Sequence, residues 1–180
     1  ISGHPLDDYK FEMKYFCTAK LESLKNLEQH LGKNLSFGGI VTNVQHRTAK
    51  NGKGWATFVL EGYDESYEFR IFDEEYLKYR HFLLQNQFVY FKINVKEGWV
   101  NRETGKKSDP RIQFLDAKML ADVLPTFAKK LFIHLDIKDL HSNFVTELNE
   151  LFAANTGDNS VTFEVMELEK IKTTAADVSV

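Results

Sequence analysis

Arg47, Lys50 and Lys53 lie in an interval, Thr42 to Leu60, that contains no acid, and Trp55 stands two residues after the last of them. Cations attract phosphate oxygens whatever base they carry, and an indole offers a stacking face to any base. Such a set is equipped to hold a single-stranded nucleic acid without reading its sequence. Arg70, Lys92 and Lys96 extend it along later segments, and the stretch from Glu97 to Asp109 adds Trp99, Arg102, Lys106 and Lys107. Each has a plainer alternative. Lysines at loop tips and on outward strand positions are commonly just solvated, Trp55 could cover the end of a core, Trp99 could anchor its loop, and Arg70 could pair with a cross-strand Glu.

Other chemistry finds little support. Asp7 and Asp8 are adjacent acids at a helix start, where they complement the dipole more readily than they bind metal. The six histidines show neither zinc spacing nor Cys partners. The single Cys17 rules out an internal disulfide and reads as an inert thiol in a reduced compartment. No apolar run approaches the roughly 20 residues of a membrane span, and the expectation is no membrane association and a cytoplasmic location. The chain opens at Ile1 without Met, which reads as a piece of something longer.

The net charge of −3 is unevenly spread. Residues 1–34 balance five lysines against five acids. Residues 35–120 hold thirteen cations and eleven acids, a net +2, and residues 121–180 hold five lysines and ten acids, a net −5. Phosphate contact is therefore expected in the middle of the chain and protein contact at its end.

The elements that must position these residues follow from periodicity. Residues 1–34 read as a helical lead-in, with Pro5 near a first helical position, Leu21, Leu24, Leu27 and Leu31 at helical spacing, and Gly32 as a stop. From about Leu35 to Leu120 the order is strand, basic loop, strand, tight turn, strand, helix, strand, loop, strand. In the second strand Ala56, Phe58 and Leu60 share one face and Trp55, Thr57 and Val59 the other; in the third, Tyr67, Phe69 and Ile71 oppose Glu68, Arg70 and Phe72. Asp73, with Glu74 and Glu75 behind it, predicts a capped helix start, and Tyr76, Leu77, Tyr79, Leu83 and Leu84 continue a helical pattern. Val89 to Lys96 and Ile112 to Met119 supply the last two strands. Five strands with a helix between the third and fourth are the order of an OB-fold barrel, whose first connection and second and third strands contact nucleic acid. Residues 121–180 add a short βαβ pattern: Leu131, Ile133 and Leu135 alternate, Leu140, Phe144, Leu148 and Leu151 keep helical spacing, and Val161, Phe163 and Val165 alternate again. The predicted fold is thus mainly β with α+β additions: a five-stranded OB-fold barrel at 35–120, N-terminal helices, and a small βαβ-like C-terminal domain at 121–180 whose natural end the sequence does not mark.

Ile1-Ser2-Gly3-His4-Pro5-Leu6-Asp7-Asp8-Tyr9, the barrel segment with Gly39-Ile40-Val41 and the Phe72-to-Tyr79 helix entry, and the βαβ tail together resemble the C-terminal region of the bacterial DNA polymerase III alpha subunit. Around the second hairpin the family often shows Leu-Glu-Asp, a Thr-Gly pair and a Glu, whereas this chain has Leu60-Glu61-Gly62-Tyr63-Asp64-Glu65-Ser66. The resemblance implies a replisome part whose parent is a DNA-directed DNA polymerase, a nucleotidyltransferase using Mg. Its catalytic domains would lie upstream of Ile1, so no catalytic residue, metal site or cofactor is carried over to this chain. It also implies that the barrel holds single-stranded template DNA and that the tail docks other replisome subunits, the tau subunit of the clamp loader among them. Two rivals share the pattern: a protein-interaction module in which DNA contact is incidental, and an anticodon-binding barrel of a tRNA synthetase, which leaves Ser2–Tyr9 and the tail unexplained.

Overall fold

Apolar alternation broken by a paired glycine makes β1, Asn34–Thr48, long enough to serve two neighbours. The computed structural model describes residues 3–100, 103–157 and 159–166. The first half of β1 pairs antiparallel with β4, Phe88–Lys96, and the second half with β2, Gly54–Glu61. A register shift between Thr42 and Gln45, with Asn43 at φ 49°, bends the strand at the changeover, as β-bulges do. β3, Ser66–Phe72, pairs with β2, and β5, Arg111–Met119, with β4, giving the order β3-β2-β1-β4-β5. Between β3 and β4 lies a helix, Asp73–Tyr79. This is the predicted OB-type arrangement.

The inward faces match the predicted alternation. Phe58 stacks on Phe69 at 5.3 Å and contacts Phe91 at 5.4 Å, and Phe114 completes the ring cluster against Phe69 and Phe91. Phe58, Phe69, Phe91 and Phe37 are almost fully buried. Each such ring contributes a few kcal/mol on removal from water, so this cluster holds the sheet in its curl.

Four expectations are corrected. The sheet curls but is not closed into a barrel: among the described residues β3 and β5 form no ladder. Side chains of the intervening helix cover β5 instead, where Glu75 Oε2 accepts the Phe114 N–H at 3.2 Å and the Tyr79 hydroxyl donates to the Leu115 carbonyl at 2.6 Å. The Leu21–Leu31 stretch is not an α-helix but two 3-10 turns, Leu21–Lys25 and Leu27–His30, because Asn26 between them is non-helical at φ −128°, ψ 80°. The Glu65 carboxylate caps the first turn by accepting from the Leu21 and Glu22 N–H groups at 2.8 and 3.1 Å. The predicted helix after β3 ends at Tyr79, followed by one 3-10 turn, and Leu84 is left exposed. Asp73 is its first residue rather than its cap and sits at φ 49°.

α1, Lys10–Tyr15, follows a 3-10 turn at Pro5–Tyr9 in which His4 Nδ1 accepts the Leu6 N–H. The helix after β3 is α2. Leu6, Tyr90 and two residues of α3, Leu120–Phe127, form a second small core. The chain divides into two compact units, one ending at Thr126 and one starting at Phe127. The residues read as lead-in, 1–34, and as barrel, 35–120, both fall in the first unit. The second unit holds the predicted βαβ: β6, Lys130–Asp136, runs parallel to β7, Ser160–Met166, with α4, Phe144–Ala154, between them. Phe144, Leu148 and Phe152 are half-buried and Phe152 meets Phe163 at 6.1 Å, whereas Leu151 and Val145 are exposed.

Candidate nucleic-acid interface

The hairpin joining β1 to β2 is shaped by its own sequence. Ala49 N–H donates to the Lys53 carbonyl at 2.8 Å, Asn51 Oδ1 accepts the Lys53 N–H at 3.1 Å, and Gly52 takes φ 80°, a left-handed value that a Cβ would strain. Gly54 lies against the Tyr76 ring so closely that a Cβ would clash, which brings the hairpin base onto α2.

Register then assembles the aromatic group. Arg47 stands opposite Trp55, and Trp55 opposite Phe72. The Arg47 guanidinium lies 5.4 Å from the Trp55 ring centroid and donates to Gln45 Oε1 at 2.6 Å. Trp55 stacks on Phe72 with centroids 5.7 Å apart and planes 18° from parallel. Trp55 is half-buried on the outward face, with Phe72 more than half exposed beside it. Arg47 and Phe72 thus flank the indole from β1 and β3, which gathers a cation and two rings on one side of the sheet.

The β4–β5 connection repeats the pairing. Trp99, 72% exposed, has the Arg111 guanidinium 4.7 Å from its ring centroid. Its N–H donates to Ser108 Oγ at 2.8 Å, and Ser108 N–H donates to its carbonyl at 2.9 Å, so backbone bonds hold the loop around it. Lys96 stands opposite Arg111 across the β4–β5 ladder. Phe72, Arg70, Trp99 and Arg111 line one groove of about 890 Å³ at the open seam between β3 and β5.

Several predicted cations are engaged already. Lys53 Nζ is 3.2 Å from Asp73 Oδ2, Arg70 is 3.7 Å from Glu68, and Lys107 Nζ is 3.1 Å from Glu97. All three pairs are largely solvent-exposed and add little to stability. Lys50 and Lys106 are exposed and meet no carboxylate among the described residues. Lys92 is not brought to the group: it stands on β4 opposite Ser36 and Asp116, while Trp55 faces Arg47, eleven positions along β1 from Ser36. Arg102 lies outside the described residues. Phe72 and Arg111 were missed as candidates, although the period-2 pattern already turned Phe72 outward and Arg111 immediately precedes the predicted fifth strand.

Burial raises the pKa of Glu75, opposed by its hydrogen bond from Phe114 and by the nearby Arg111 charge. Among the described residues no three His, Cys, Asp or Glu side chains are grouped to hold a metal ion, and no helix is long and apolar enough to cross a membrane.

No family model matches the chain. The DNA polymerase III subunit alpha of Saccharopolyspora erythraea is 29% identical over 104 residues, 56% of this chain and 9% of that protein. The subunit of the same name from Borreliella burgdorferi is 32% identical over 90 residues, 49% of this chain and 8% of that protein. Among solved structures, an aspartyl tRNA synthetase from Entamoeba histolytica overlays 99% of this chain and 35% of its own, with TM-score 0.39 and 12% identity. The chain spans under a tenth of the length of the curated relatives it matches. Over about half its length, the chain is similar to a segment of DNA polymerase III subunit alpha, as the resemblance in its sequence implies.

Proposed function

We propose that the first unit is a non-catalytic module that binds single-stranded DNA, the template strand, as part of a replicative polymerase alpha subunit. The observation that carries this is the Arg47–Trp55–Phe72 group facing outward beside the open seam, with Trp99 and Arg111 lining the same groove as Phe72. Arg47, Lys50, Lys106 and Arg111 take phosphates, the rings take bases, and no base edge need be read for capture. Nucleotidyl transfer, with its Mg, belongs to the parent chain. Titration of the chain with labelled single-stranded and duplex oligonucleotides at two salt concentrations tests the reading. Preferential, salt-sensitive binding of the single strand supports it; no binding at low salt removes it.

A second reading concerns the second unit. None of its described residues is buried, and Leu131, Val145 and Leu151 expose apolar side chains on an acidic background. We infer that this unit docks another replisome subunit, with tau the expectation from the family resemblance. Val145→Asp combined with Leu151→Asp should abolish capture of purified tau without changing DNA binding.

A further inference from the structure

The tip of the hairpin between β1 and β2 carries Asn51-Gly52, and no other Asn in the sequence precedes a Gly. Both residues are exposed, and nothing lies within 4 Å of the place that a Gly52 Cβ would take. Asn51 Oδ1 accepts the Lys53 N–H at 3.1 Å, which folds the side chain back along its own backbone, its amide carbon near the Gly52 nitrogen and its carbonyl polarised by the bond. With no side chain on residue 52, the approach is unhindered. One bond opposes it: the Gly52 N–H donates to the Ala49 carbonyl at 2.9 Å and must be released before the nitrogen can attack. At an exposed tip a single such bond slows the step by about three- to tenfold and does not prevent it.

We propose that Asn51 is a deamidation site, where a slow hydrolysis puts a negative charge into the basic hairpin. The Gly52 nitrogen gives its proton to water and bonds to Asn51 Cγ; the Cγ–Nδ2 bond breaks, and Nδ2 takes up a proton and leaves as ammonia. Water then opens the five-membered imide, at Cγ to leave aspartate at this position or at the Asn51 backbone carbonyl to leave isoaspartate. Water is the only co-reactant. Either product sets a carboxylate between Lys50 and Lys53, inside the interval from Thr42 to Leu60 that holds no acid. The conversion itself is independent of the single-strand reading, whereas its effect on binding rests on that reading.

The test holds the 180-residue chain at pH 8 for days, folded and in guanidinium chloride, and follows it by peptide mapping with mass spectrometry. The expected result is a gain of about 1 Da at Asn51 that outpaces every other Asn, with isoaspartate among the products and a folded rate about three- to tenfold below the unfolded one. Conversion in guanidinium chloride with none in the folded chain, or gains spread evenly over the asparagines, overturns the proposal. Asn51→Asp keeps an acceptor for the Lys53 N–H and reproduces the aspartate product; circular dichroism checks that the fold is kept. It should bind a labelled dT oligonucleotide more weakly than the parent at low salt, with a log K against log salt slope shallower by roughly 0.7, one phosphate contact. Equal affinity and slope in parent and variant overturn the effect on binding. Failure of the parent to bind overturns instead the single-strand reading, and the conversion is then decided by mass alone.

Discussion

The guanidinium of Arg47 lies over the indole of Trp55, 5.4 Å from its centroid, because β1 and β2 place the two residues directly opposite each other. The pair is a product of strand register, so it is fixed by the fold before any ligand arrives. A strand approaching this group would meet a cation and rings already in position, without ordering a new side chain.

Trp55→Ala is accordingly expected to weaken single-strand binding by about 1–3 kcal/mol for every sequence tested. Arg47→Ala should weaken it less, and Phe72→Ala should also weaken it, since Phe72 supports the Trp55 ring. Equilibrium fluorescence anisotropy measures this, alongside thermal melts. Trp55 is not part of the buried ring cluster, so the Tm should move little; a collapse of the fold would show that the indole serves as a core lid instead.

Salt dependence should be shallow for a nucleic-acid binder. Four cations stand outside the direct ion pairs of this region, namely Arg47, Lys50, Lys106 and Arg111, the last lying near Glu75 without a direct pair, whereas Lys53, Arg70 and Lys107 are paired. At about −0.7 per phosphate contact the plot of log K against log salt should have a slope of roughly −3. Removing Asp73 as a competitor, in Asp73→Asn, should free Lys53 and steepen the slope by about one contact. Asn tolerates the left-handed backbone found at residue 73. An unchanged slope in that variant would mean that Lys53 does not reach the strand.

Strand number, order and facing were legible because period-2 alternation is strong in β2, β3 and β4, where Ala56, Phe58, Leu60, Phe69, Ile71, Phe91 and Ile93 all point inward as their spacing requires. The aromatic group was only half legible. Trp55 could be placed on the outward face, but its partners depend on register: which residue of β1 stands opposite it is decided by the hairpin and by the bulge at Thr42–Gln45. Lys53 shows the converse limit, since a cation of the acid-free interval is paired here with Asp73, brought in by the fold, whereas the partner of Arg70, Glu68, stands two residues away on its own strand. The Leu21–Leu31 stretch misled because leucines at helical spacing also suit consecutive 3-10 turns that bury Leu21 and Leu24 against the sheet. The missing β3–β5 ladder leaves no trace in local pattern; it depends on Glu75 and Tyr79 reaching β5 from a neighbouring helix.

Cys17 should be nearly inert in the folded chain. Burial pushes its thiol up to about 12, only partly offset by a backbone hydrogen bond at Gly38. The thiolate is the reactive form, so at pH 8 a shift from 9.0 to about 12 leaves about a thousandfold less of it. Iodoacetamide labelling followed by mass spectrometry should be slow in buffer and fast in guanidinium chloride. Equal rates in the two would show an accessible, ordinary thiol.

Glu75 gives the sharpest stability test, because its carboxylate takes a place that a β3–β5 ladder would otherwise fill. Its pKa is raised by burial, which means that the folded state favours the protonated form more than the unfolded state does. Stability contributed by this group is therefore present below the ordinary value of 4.5 and is lost as pH climbs through the raised value. Glu75→Gln keeps an oxygen to accept the Phe114 N–H and removes the desolvated charge. Its Tm at pH 7 is expected to equal or exceed that of the parent, and the parent's decline on leaving the acid range should disappear in the variant. Glu75→Ala removes the acceptor, leaves the Phe114 N–H unpaired and should cost about 1–3 kcal/mol at every pH. Urea unfolding of the three proteins at pH 4 and pH 7 separates these effects. A Gln variant as destabilised as the Ala variant would show that the charge itself, and not the hydrogen bond, holds α2 against β5.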